Sequence, residues 1–217
     1  MKTGNNSRTK NSIRNIFFST SQYLFTIIAS FIVRTFFIKT LGIEYLGVNG
    51  LFSNILLMLS LAELGIGNAI IFKLYKPLAE NDKQKIQQLM NFYKRAYRLL
   101  AVFIAVVGLL ILPFLNYLIK NPPHISESLY VIYLLYLTNS VASYLLVYKK
   151  SLIVADQNEY ITSIIGFYYT FITSILQIVI LIFTHNFLLY LIVQIVLGVL
   201  YNVVITIVCN RRYKYLN

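Results

Sequence analysis

Six apolar runs, separated by short polar stretches, make up most of this chain. They cover about 16–38, 46–71, 99–119, 129–148, 161–184 and 187–209. Each approaches or exceeds the roughly 20 residues that a helix needs to cross a hydrocarbon core about 30 Å thick. None alternates with a period of two, so a closed barrel, the other way to satisfy a backbone in lipid, is not indicated. The pattern predicts an all-α integral membrane protein with six transmembrane helices. His185-Asn186 is almost the whole connection between the last two runs, which predicts an antiparallel hairpin. The stretch Asn121-Pro122-Pro123-His124 ends the third run, because proline lacks an N–H and fixes φ. Pro113, inside that run, predicts a kink.

The polar segment between the second and third runs is patterned too. Asn81-Asp82 offers a helix cap, and Ile86, Leu89, Met90, Tyr93 and Tyr97 then recur at helical spacing. The expectation is an amphipathic helix over about 82–97, lying in the membrane interface before the chain re-enters.

Four of the six runs carry a polar stripe. In the first, Asn15, Ser19, Gln22, Thr26 and Ser30 stay on one face, and Arg34 continues the line. The second has Asn49, Ser53, Ser60, Glu63 and Gly67. The fifth has Thr162, Gly166, Tyr169, Thr173 and Gln177, and the sixth has Tyr190, Gln194, Gly198 and Tyr201. Small and polar residues of this kind glue membrane helices together. Four stripes in one chain also fit a shared hydrophilic cavity, large enough for a sizeable polar substrate.

Composition and charge orient this picture. The chain has 217 residues, is 58% hydrophobic and 12% charged, and has a mean hydropathy of +0.70. A soluble domain carries roughly 25% charged residues. The net charge is +12, and 16 of the 19 basic residues fall on one side of the predicted spans. By the positive-inside rule that side is cytoplasmic, with both termini on it. The charge thus reads as a topology signal and not as a nucleic-acid footprint. Residues 1–15 form a basic cytoplasmic N-terminus, 16–209 the membrane lobe, and 210–217 a cytoplasmic end. Cys209 is the one cysteine, so no disulfide framework exists, and the first apolar run is too long for a cleaved signal.

Glu63 is the conspicuous charge. It precedes Lys73 by ten residues, about 15 Å along a helix, which puts it near the middle of the membrane. Gly65 and Gly67 weaken the helix just after it. Arg34 lies twenty residues beyond Arg14, near the opposite boundary, so the two charges are not expected at one depth. Glu63 suits a proton or cation site, and it suits a break in packing nearly as well.

Four stretches carry a family resemblance. LGIEYLGVNGLFSN (41–54) runs into LAELGIGNAI (61–70) and LYKPLAEND (74–82), and KKSLIVADQNEY (149–160) follows the fourth run. Together they resemble Wzx-type polysaccharide flippases of the multidrug/oligosaccharidyl-lipid/polysaccharide exporter superfamily. The 41–82 block carries most of the specificity, and the later spans are generic. The resemblance implies a two-lobed exporter that moves undecaprenyl-pyrophosphate-linked oligosaccharides across a bacterial cytoplasmic membrane by alternating access. It implies coupling to a proton or sodium gradient, no bound cofactor or metal, and a polysaccharide polymerase as a possible partner. Such proteins have about twice as many spans, so this chain corresponds to the N-terminal lobe. The expectation is a fragment whose second six-helix lobe lies in the same chain, or a protein that pairs with a second copy. Under the resemblance Arg34 engages the pyrophosphate or an acidic sugar, Gln22, Gln177 and Gln194 bond sugar hydroxyls, and Glu63 senses the coupling ion.

Other functions fit less well. The seven acids are spread along the chain, and the two histidines, His124 and His185, have no third metal ligand, so an enzyme is not expected. A drug or small-ion exporter of the same superfamily has the same fold. A half-size scaffold that transports nothing is the remaining reading.

Overall fold

The computed structural model describes residues 3–63, 65–118, 123 and 125–216; the side chains of 3–10, 62, 116 and 118 are not described. The described residues form helices, with no strand among them. Helix α1 spans Thr3–Leu41, α2 Ile43–Ser60, α3 Ile66–Ala79, α4 Lys83–Ile111 and the short α5 Leu115–Leu118. Then come α6 at Leu129–Tyr144, α7 at Tyr148–Ala155, α8 at Glu159–Thr184 and α9 at Phe187–Arg212. Five of these are long and apolar enough to cross a membrane, and α6 with α7, bent by 42°, makes a sixth. Large apolar side chains such as Phe31, Phe72, Leu99 and Phe183 face outward. This is the inventory of a multi-pass membrane protein.

α1 is unbroken for 39 residues, about 58 Å. It has no proline, and it stops where Gly42 adopts φ +96°, a region open mainly to glycine. The expected second span, 46–71, departs from a single helix. α2 ends at Ser60, a tighter 3-10 turn covers Leu61–Glu63, and Gly65 at φ +86° opens α3. A left-handed residue cannot continue an α-helix, so Gly65 sets the break and leaves Glu63 inside it.

The expected interface helix at 82–97 is not a separate element. It and the third span are one 29-residue helix, α4, capped by Asp82, whose Oδ1 accepts from Lys85 N at 2.9 Å. Ile86, Met90, Tyr93 and Tyr97 form its buried stripe, continued by Ala101, Ile104 and Gly108. The apolar face that suggested contact with lipid headgroups is covered by protein. Pro113 sits in the 3-10 turn Leu112–Phe114 that closes α4. Most of the 121–124 stretch, His124 included, lies outside the described residues, as does Lys120.

The fourth span is also interrupted. α6 ends at Tyr144, and α7 resumes at Tyr148 in a new direction. The hairpin of α8 and α9 forms as expected: His185 turns at φ +50°, and Asn186 Oδ1 caps α9 by accepting from Leu189 N at 3.0 Å.

α1 packs most extensively along α8, and α9 packs on α8 and α6. The start of α8 is tied to residues near both chain ends. Asn15 donates to the Gln157 carbonyl at 2.9 Å, and Arg212 donates to Asn158 Oδ1 at 3.0 Å. The Tyr213 hydroxyl donates to Asp156 Oδ2 at 2.7 Å. Burial first, and that carboxylate second, hold the Tyr213 hydroxyl well above the usual phenol range.

Gly108 allows a close approach between α4 and α6. Tyr133 donates to its carbonyl at 2.8 Å, and a β-carbon at 108 would collide with the side chain of Leu137. Gly108→Ala is expected to destabilise the fold by about 1–3 kcal/mol. Thermal unfolding of the purified protein in detergent checks this. The cost should shrink in a Leu137→Ala background, because the clash is then removed.

Candidate functional site

The upper parts of four polar stripes meet in one cavity of about 490 Å³. α1 contributes Thr26, Ser30 and Arg34. α2 contributes Asn49 and Ser53. α8 contributes Tyr169, Thr173 and Gln177, and α9 contributes Tyr190 and Gln194. The 3.6-residue period explains the convergence, because residues three and four apart on each helix face the same neighbour. The volume lies in the ordinary range for a small-molecule site, roughly 300–1,000 Å³.

Arg34 is the cavity's one charge, and among the described residues no carboxylate lies within 4 Å of it. Its surroundings are hydroxyls and amides. Gln177 is buried, and its Nε2 faces Gln194 Oε1 at 3.5 Å, the outer limit of a hydrogen bond. Asn49 Oδ1 accepts from the Tyr136 hydroxyl, and Phe37, Leu46 and Tyr190 supply an apolar and aromatic wall.

Thr173 is the one buried side-chain group left without a partner among the described residues. Thr26, Thr35, Thr40, Thr184 and Thr206 each donate their hydroxyl to the carbonyl four residues back. Thr173 is 8% exposed, and its Oγ1 has no hydrogen-bond partner among the described residues. Tyr169, one turn earlier on α8, lines the same cavity. A buried hydroxyl without a partner costs free energy unless something in the cavity bonds it.

Three of the four residues expected to hold substrate, Arg34, Gln177 and Gln194, therefore share one site. Gln22 does not line it. Gln22 packs over Gly166, so closely that a β-carbon there would lie 2.8 Å from Nε2. The lower stripe of α1 is adhesive throughout: Ser19 and Ser163 hydroxyls lie 3.0 Å apart, and Asn15 Oδ1 accepts from Tyr160 N at 2.8 Å.

Glu63 lies in a different place. It borders a second cavity of about 350 Å³, with Asn139, Ser143, Tyr144, Lys150 and Asn202. The Tyr97 hydroxyl donates to its Oε1 at 2.9 Å. Tyr169 borders both cavities, so they are neighbours, with Arg34 in one and Glu63 in the other. The second cavity is the part that sequence reasoning passes over. Asn139, Ser143 and Lys150 share a helical face in register, and that spacing was the available signal. Among the described residues no three His, Cys, Asp or Glu side chains cluster as metal ligands would.

No family model matches this chain, and no curated protein or solved structure matches it significantly.

The orphaned hydroxyl gives a test with opposite signs. Thr173→Val keeps the shape and removes the unsatisfied group, so it should leave the fold as stable or raise stability by about 1 kcal/mol. Thermal unfolding reads this directly. The same change should weaken any ligand that bonds at this position.

Proposed function

We propose that this chain moves lipid-linked oligosaccharides across the cytoplasmic membrane of a bacterium, for assembly of a surface polysaccharide. The observation that carries the reading is the larger cavity. It combines one guanidinium, without a carboxylate within 4 Å among the described residues, with hydroxyls and amides from four helices and with two tyrosine rings. Guanidinium pairs bidentately with phosphate or carboxylate oxygens, and the neutral groups match sugar hydroxyls. Aromatic rings offer apolar faces on which a sugar ring can rest.

In this reading the basic end of the bundle, which carries both termini, faces the cytoplasm. The carrier is undecaprenyl pyrophosphate, and the chain works as one six-helix lobe against a second lobe or a second copy. Arg34 holds the anionic group, while Gln177 and Gln194 bond sugar hydroxyls. Glu63, at a helix break and with no cationic side chain within 4 Å among the described residues, takes the coupling proton or sodium ion. Discontinuous membrane helices commonly hold ions and substrates at such breaks. That same position favours one second reading, a small-cation exporter of the same architecture. A cation exporter would not need the Arg34 cavity.

Two substitutions test the assignment in cells whose surface polymer depends on this chain. Arg34→Ala should lower polymer export about tenfold or more with the protein still in the membrane, the loss typical of a charged hydrogen bond. Arg34→Lys should restore only part, because it lacks the planar fork. Unchanged export in Arg34→Ala would remove Arg34 from the site and favour the cation exporter. Glu63→Gln should change how transport responds to pH or sodium, measured as substrate flux into inverted vesicles. An unchanged response would leave Glu63 a packing residue.

A further inference from the structure

Both interrupted helices open onto the second cavity. Glu63 comes from the break between α2 and α3, and Val147 from the break between α6 and α7. Irregular backbone at membrane depth persists where it is buried in protein or lines a polar cavity. The break at Glu63 thus marks this space as polar independently of its side chains, while the break at Val147 lies at the basic end of its span, beside Lys149 and Lys150.

Its two charges differ in setting: Glu63 is half-buried and Lys150 is exposed. Among the described residues, Glu63 and Lys150 are the charged ones lining it. Among the described residues they are not within 4 Å of each other or of any other opposite charge. Glu63 receives a neutral tyrosine hydroxyl in place of a cation. The Asn139 and Asn202 side-chain amides also face the cavity with no protein hydrogen bond among the described residues. Gly198 lies beside them: a β-carbon there would be in van der Waals contact, at 3.8 Å, with Asn139 Oδ1 and the Tyr169 hydroxyl. Unpaired polar groups that converge on one concave space are the mark of a ligand site.

The charge pattern selects the ligand. A lone anion would meet Lys150 but be repelled by Glu63, and a lone cation would face the reverse. A group bearing both charges satisfies both ends and leaves neither side chain facing an unpaired charge. We propose that the second cavity binds a small zwitterionic headgroup, with its ammonium at Glu63 and its phosphate or carboxylate at Lys150. The chemistry is that of an amino-bearing phosphate, carried either on a membrane lipid or on a sugar. The proposal goes beyond the transport reading, since binding here requires no transport. An ammonium and a coupling cation would compete for the one carboxylate of Glu63, which would link the two readings.

The test uses the full chain in nanodiscs of phosphatidylglycerol, titrated by calorimetry with O-phosphoethanolamine, ethanolamine and inorganic phosphate. The expected result is that phosphoethanolamine binds about tenfold or more tightly than either single-charge probe. Lys150→Gln should erase its advantage over ethanolamine, and Glu63→Gln its advantage over phosphate. Equal affinities for the three probes in the unaltered chain, or no binding, would overturn the proposal whether or not the variants fold. Folded variants that keep the preference would also overturn it. Repeating the titration in phosphatidylethanolamine nanodiscs identifies the source. A weakened signal there supports the proposal with the lipid headgroup as occupant, and an unchanged one supports it with a carried or soluble headgroup. Polymer export is not read in this experiment, so failure here and failure of the transport reading are distinguishable.

Discussion

In hydrocarbon a peptide group has only the protein to bond to, and the rest of this structure depends on that constraint. α1, α8 and α9 present apolar side chains outward and run without interruption. Two spans break, one at the 3-10 turn Leu61–Glu63 and one at 145–147, and both breaks border the same polar cavity. The backbone becomes irregular where polar side chains gather, because only there can freed N–H and C=O groups find partners. Glu63 and the left-handed Gly65 are thus two aspects of one arrangement: the turn needs the glycine, and the cavity beside it accommodates the acid.

The spans were legible because hydropathy and the 3.6-residue period are averages over many residues. So was the hairpin at His185-Asn186, where two residues leave no alternative. The break after Glu63 was less legible. Gly65 signals a weaker helix, but whether its φ turns positive depends on what α4 offers opposite, here the Tyr97 hydroxyl. The stripe Ile86, Met90, Tyr93 and Tyr97 has the same pattern whether it meets lipid headgroups or protein. Its continuation in Ala101, Ile104 and Gly108 decides for protein, and that is visible only once α6 stands against it.

The polar stripes show the same dependence on what lies opposite. Ser19 and Ser30 are chemically identical and lie on one face of α1. Ser19 meets Ser163 and becomes adhesive, whereas Ser30 meets open space and becomes lining. Gln22 and Gln177 separate in the same way: Gly166 draws one into the helix contact, while the other remains at the cavity wall. A stripe therefore announces a non-lipid environment, and the partner helix determines its kind.

The pairing of α1 with α8 has a consequence for how the protein is made. Asn15 bonds Tyr160, and Ser19 bonds Ser163, across 145 and 144 residues of sequence. At roughly 5–20 residues per second, the ribosome needs about 7–30 s to deliver the second partner after the first. Throughout that interval the adhesive face of the first helix is in the bilayer, or still held at the insertion machinery, with nothing to adhere to. Satisfaction of that face is thus timed by synthesis of the fifth span. A chain stalled before that point displays an unsatisfied polar edge that quality-control proteases can recognise.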